Sequence, residues 1–222
     1  MSDNGLTERL NEALAGEEAR AEVFANNVRF LFFIVLTCVA LLNTGSVSYT
    51  ANVMNYLTLA IAYAYGFIIF FRLRRSGYHA AMKYITSCVD IILVFLLLVL
   101  YANIEIPAVA LKNYVFLIVF PLIALTAYRN DRKLTLIAGG LAIALYVAMI
   151  VYLRYTGTIS LTTGGYDREL FSGDVTYIGQ ATKILILAGY VALMAHLSLY
   201  SRRLFTGLLH NELTLRVHKE LT

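Results

Sequence analysis

The sequence predicts an all-α membrane protein, a bundle of six transmembrane helices with cytoplasmic helical extensions at both ends. Three observations predict it. Apolar runs recur along the 222-residue chain at lengths near the roughly 20 residues that span a hydrocarbon core. Hydrophobic residues make up 59% of the chain and charged residues 14%, against about a quarter charged in an ordinary soluble domain, and mean hydropathy is +0.70. The cations collect in alternate connections between the runs, as the positive-inside rule requires.

Residues 1–27 form the first element. Leu6, Leu10 and Leu14 stand at four-residue spacing, with Glu8, Glu17, Glu18 and Arg20 among the polar positions, which predicts an amphipathic helix leading into the first span. The polar first 27 residues hold no apolar stretch that reads as a cleavable signal. Residues 28–200 hold the spans, at about 28–45, 53–71, 84–101, 114–128, 134–153 and 175–200. The fourth is short and carries Pro121, which predicts a kink or a weakened helix unless neighbours satisfy the freed carbonyl. Gly139 and Gly140 open the fifth, where small residues allow helices to approach closely. The connection at 154–174 holds Gly157, Gly164, Gly165 and Gly173 and suits either a ligand-capturing loop or a passive connector. In residues 201–222, Leu209, Leu213, Val217 and Leu221 continue a four-residue stripe past the sixth span, which suits a coiled-coil start or a helix on the membrane surface. That pattern is unfinished at Thr222, which predicts an output domain beyond it.

Orientation follows from the cations. Arg9, Arg20 and Arg29, then Arg72, Arg74, Arg75 and Lys83, then Arg129, Arg132 and Lys133, then Arg202, Arg203, Arg216 and Lys219 all fall on one side. Lys112, Arg154 and Arg168 fall on the other, so both termini are predicted to be cytoplasmic. The net charge of +4 therefore reflects cytoplasmic loops and gives no argument for nucleic acid. Cys38 and Cys88 lie in apolar segments, too few for a disulfide framework, and read as packing residues. The 16 tyrosines cluster near span ends, including Tyr49, Tyr101, Tyr114, Tyr152, Tyr155 and Tyr177, as an interfacial belt does. No phosphate loop, zinc spacing, nucleophile elbow or kinase motif occurs, so no catalytic residue is assigned.

Ionisable groups inside spans are expensive and mark function or pairing. Asp90 lies in the third span, about 9 Å from its cytoplasmic boundary, and Lys183 in the sixth, about 12 Å below its outer boundary. They suit a structural ion pair with each other, separate partners among the tyrosines, Asn55 and Gln180, or a ligand-sensing or proton-linked role. His79 and His196 approach the cytoplasmic boundary on different helices. They read as ordinary interfacial histidines or as axial ligands of a b-type haem, with Arg74, Arg75, Lys83, Arg202 and Arg203 near enough in sequence to pair its propionates. Asn130-Asp131, between Arg129 and Arg132, reads as a tight turn.

Three stretches carry a resemblance: Tyr78-His-Ala-Ala-Met-Lys-Tyr-Ile-Thr-Ser-Cys-Val-Asp90, Ala127-Tyr-Arg-Asn-Asp-Arg-Lys-Leu-Thr-Leu136, and Ile178-Gly-Gln-Ala-Thr-Lys183 with Ser201-Arg-Arg-Leu204 closing the sixth span. Together they resemble the six-helix membrane domain that precedes the catalytic domain of bacterial class III adenylate/guanylate cyclases. Ala80 stands where related sequences often place Pro after the histidine. The resemblance implies a homodimeric sensor or anchor in a bacterial inner membrane, with its C-terminal helix feeding a cytosolic cyclase domain. Two other readings stand beside it: a haem-binding redox or electron-transfer domain, and a small transporter built on Asp90 and Lys183, against which no internal repeat is evident.

Overall fold

Long apolar stretches with few breakers fold as helices because only a helix satisfies its own backbone in lipid. In the computed structural model, residues 3–76, 78–105, 107–164 and 174–221 are described, with the side chains of 3–12, 76, 109, 210 and 212–221 outside the description. The helices are α1 (Asp3–Leu42), α2 (Tyr49–Ser76), α3 (Ala80–Ile104), α4 (Pro107–Lys112), α5 (Val119–Tyr128), α6 (Arg132–Tyr155) and α7 (Tyr177–Leu221), and a 3-10 turn at Tyr114–Ile118 leads into α5. Among the described residues, five helices are long and apolar enough to cross a membrane: α1 from Ala13, α2 as far as Arg75, α3, α6, and α7 as far as Leu209. The remaining apolar segment, Tyr114–Tyr128, is shorter.

The boundaries have local causes. The hydroxyl of Ser48 accepts the Ala51 N–H in the first turn of α2 (3.2 Å). The Asn113 side chain accepts the Val115 N–H (2.9 Å) at the 3-10 turn. The Asp131 carboxylate caps α6 by accepting the N–H groups of Lys133 and Leu134 (3.0 and 3.2 Å). Asn130 turns the chain between α5 and α6 at φ 53°, a left-handed conformation asparagine tolerates. Gly157, at φ 68°, ends α6 as a glycine just past a helix terminus commonly does.

α1 runs without a break from the predicted extension into its apolar stretch, and α7 likewise passes from its apolar stretch through residue 221. At 1.5 Å per residue they are about 60 and 67 Å long, well beyond a core of about 30 Å. The side chains of Leu6, Leu10, Leu213, Val217 and Leu221, on which the terminal stripes rest, lie outside the described residues. So do Arg168, Gly165 and Gly173 of the long connection. Leu161–Thr162 and Val175–Thr176 pair as a short parallel ribbon.

Directions follow from pairs of contacts. α1 and α2 are antiparallel, with Thr44 hydrogen-bonded to Tyr56 and Thr37 to Tyr63. α2 and α3 are antiparallel through Tyr101–Asn55 and Tyr65–Thr86. α3 and α6 are parallel: Lys83 and Tyr84 meet Asp131 at one end, and Asn103 meets Tyr152 at the other. The chain from 107 to 128 therefore returns from the far end of α3 to its starting end. α7 runs back along α6, with Gly139 against Val191 and Tyr146 bonded to Gln180.

The central apolar cluster is built from α3 through α7, around Ile91, Phe95, Ile123, Tyr146, Leu187 and Val191. Among the described residues, none of its buried members comes from α1 or α2. That hairpin is joined to the rest in another way.

Candidate functional site

On α1, Glu18, Glu22, Asn26 and Arg29 stand at spacings of four, four and three, so one face of a helix carries all four. On α3, Lys83, Thr86, Ser87 and Asp90 form the matching face. Arg129 and Asp131 reach the same seam from the turn between α5 and α6. The Arg29 guanidinium grips Asp90, with Nε 2.9 and 3.1 Å from the two carboxylate oxygens and Nη2 2.7 Å from Oδ2. Its Nη1 donates to Asn26 (2.8 Å), and its plane lies 5.5 Å from the centre of the Tyr65 ring. Two turns of α1 earlier, Glu22 meets Arg129. Nη2 donates to Oε1 at 3.0 Å, and Nε sits 3.0 Å from Oε2 in an ionic contact whose N–H direction misses the oxygen. Arg129 also donates to Ser87 and Thr86, and Thr86 donates to Glu22 (3.1 Å). Nearest the end of the bundle, Lys83 lies between Glu18 (3.1 Å) and Asp131 (2.9 Å), while Tyr78 donates to Glu18 and Tyr84 to Asp131.

The seam holds four carboxylates, Glu18, Glu22, Asp90 and Asp131, against three cations, Arg29, Lys83 and Arg129. Arg29 and Glu22 are each 1% exposed, so these charges survive only because each meets an opposite charge. Burial pushes the Asp131 carboxyl up, but the bonds from Lys83, Tyr84 and the Leu134 N–H outweigh it and hold the group below the usual carboxylate range. Burial lowers Arg129, opposed by Glu22 and reinforced by nearby Arg29, and leaves it below an ordinary guanidinium.

Above the seam lies a cavity of about 650 Å³ between α1, α2, α3 and the 3-10 turn. Arg29 and Asp90 form its base, and Phe33, Leu36, Leu59, Leu93 and Leu97 its walls. Asn55 and Tyr101 line it near the far end, where Asn43, Ser46, Glu105 and Asn113 surround the mouth.

Of the two ionisable residues that sequence places inside spans, Asp90 belongs to the seam with Arg29. Lys183 donates to the Leu111 carbonyl (2.9 Å). The two are engaged at different places. His79 is exposed as the N-cap residue of α3, and His196 is exposed on α7. Arg74, Arg75, Arg202 and Arg203 are exposed, whereas Lys83 is buried between Glu18 and Asp131. Among the described residues no group of three or more His, Cys, Asp or Glu is placed to hold a metal ion. Cys38 is exposed and Cys88 half-buried, both as free thiols. Glu18, Glu22, Arg29, Arg129 and Asp131 were not predicted as site residues. The signal was present in the helical spacing of 18, 22, 26 and 29, facing 83, 86, 87 and 90.

No protein-family model, curated protein or solved structure matches this chain.

Proposed function

We propose that this chain is a membrane sensory and regulatory domain of the kind its sequence resembles, joined through α7 to a cytosolic class III cyclase domain. In this reading the chain crosses a bacterial inner membrane six times, with Tyr114–Tyr128 as the short fourth crossing and both termini in the cytoplasm. The parallel course of α3 and α6 supports the fourth crossing, and the cation distribution supports the orientation. Homodimerisation belongs to the same reading, because class III active sites form between two catalytic domains.

The observation that carries the proposal is the way the α1–α2 hairpin is attached. Among the described residues it contributes none of the buried members of the central apolar cluster, and a buried charged seam ties it to α3 and the α5–α6 turn beneath the cavity. Packed cores resist small displacements, whereas an element attached in large part through polar contacts beside a cavity has room for two positions. α1 also packs on α7, so a shift of the hairpin reaches the helix that leaves the bundle.

The test joins the chain after Thr222 to a class III cyclase catalytic domain and measures cyclic nucleotide formation in membranes. Each residue inserted into a helix rotates its downstream portion by about 100°. Insertions of one and two residues after Arg203 should therefore change output severalfold and differently from each other. Equal output from the parent and both insertions would remove α7 as the transmitting element.

A further inference from the structure

The cavity above the Arg29–Asp90 pair has a shape and a polarity that specify an occupant. Its volume of about 650 Å³ falls within the roughly 300–1,000 Å³ of small-molecule sites. Its α1 wall runs from Arg29 to Asn43, about 21 Å at 1.5 Å per residue. That volume, drawn out over that length between apolar walls, suits a single extended chain. Between Tyr101 and Asp90, about 16 Å of depth, the α3 wall is apolar, with Leu93, Val94 and Leu97 facing the slot.

The polar groups set the headgroup. Arg29 and Asp90 neutralise each other at the base. The remaining formal charge on the lining is Glu105 at the mouth, which repels an anion. One helical turn below Glu105, Asn55 accepts the Tyr101 hydroxyl (2.5 Å) through its carbonyl oxygen, and its amide N–H₂ makes no hydrogen bond to a described residue. Asn55 lines the slot half-buried, so its amide is available to an acceptor on a ligand. The exposed residues Asn43 and Ser46 add amide and hydroxyl partners at the same end.

We infer that this cavity binds an uncharged single-chain lipid of the monoacylglycerol type. The ester carbonyl accepts from Asn55, the glycerol hydroxyls lie among Ser46, Glu105 and Asn113, and a medium-length acyl chain fills the slot toward Phe33 and Leu93. Binding is independent of any output from α7, so its test and that of the regulatory reading fail separately.

The test uses the full chain in lipid nanodiscs with a diazirine-bearing monolauroylglycerol, followed by photolysis and mass-spectrometric mapping. Adducts should concentrate on residues 33–40 and 93–97, and unlabelled monolauroylglycerol should compete at a concentration at least tenfold below that of laurate. Ala62→Leu, which fills the slot, should reduce the adduct at least tenfold while the thermal midpoint is retained. Should that variant not fold, Thr58→Leu, at a half-buried wall position, should do the same. Asn55→Leu should reduce labelling severalfold. Adducts spread evenly over the outer faces of α2 and α7, or labelling unchanged in the folded filling variant, would overturn the site. Laurate competing as well as monolauroylglycerol would overturn the uncharged headgroup.

Discussion

At the scale of single residues, the cost of a buried charge explains what sequence made visible and what it hid. Asp90 was legible because a carboxylate amid Val89, Ile91 and Ile92 must have a partner. Its partner was not, because Arg29 stands at the edge of the first span, where a cation also serves as an ordinary cytoplasmic flank. Only the fold brings residues 61 positions apart to 2.7 Å. Removing one member of such a pair leaves the other charged and buried, whereas removing both leaves an apolar seam. Arg29→Met should therefore destabilise the protein by about 3–5 kcal/mol. Arg29→Met with Asp90→Leu should recover most of that loss, as measured by unfolding in detergent. A double variant as unstable as the single would mean that packing of the arginine stem, not charge, holds α1 to α3. Asp131 makes a separate prediction. Its folded-state carboxyl is depressed, so its contribution is complete above the ordinary aspartate value of about 4 and is lost as pH falls through the lower folded value. Unfolding midpoints of the parent should drop more steeply below about pH 4 than those of Asp131→Asn, with the two curves converging at the acid end.

At the scale of elements, the extent of the long helices was readable from apolar runs, but the fourth segment was not readable in detail. Pro121 suggested a kink or a weak helix. The segment divides just before it, with a 3-10 turn leading into α5 at Val119, which puts Pro121 in the first helical turn, where the missing N–H has no intrahelical partner to lose. The glycine pair in α6 divides in the same local way. A Cβ on Gly139 would lie 2.4 Å from both Val191 methyl carbons, while one on Gly140 would meet nothing within 4 Å. The close approach of α6 and α7 therefore depends on Gly139 alone of the two. Gly139→Ala should cost about 1–3 kcal/mol by forcing the helices apart. Gly140→Ala should be neutral or slightly stabilising, because alanine favours the helix. Adding Val191→Ala to Gly139→Ala should restore part of the loss. Equal thermal midpoints for the two glycine variants would contradict this packing.

At the scale of the whole molecule, composition made the membrane class legible, while the number of crossings depends on a segment too short to declare itself. Tyr114–Tyr128 has 15 residues, part of them in the more extended 3-10 form, and reaches about 25 Å, slightly less than a hydrocarbon core. The ends of its neighbours decide its course. Asp131 lies with Lys83 at the start of α3, and Tyr152 lies with Asn103 at its finish, so the segment has to traverse the depth that α3 traverses. With six crossings the termini share a side, and α1 and α7 project together. With the segment folded back within one leaflet, the crossings fall to five and the termini separate. Single cysteines distinguish these arrangements in a Cys38→Ala, Cys88→Ala background. A membrane-impermeant maleimide applied to intact cells should label Ser46→Cys and Asn113→Cys, and should reach Arg132→Cys and Arg203→Cys only after the membrane is opened. The pair at 113 and 132 is decisive because it flanks the short segment directly. Equal accessibility at those two positions would make it re-entrant, put α1 and α7 on opposite sides, and leave the seam on α1 with no route to a helix leaving on its own side.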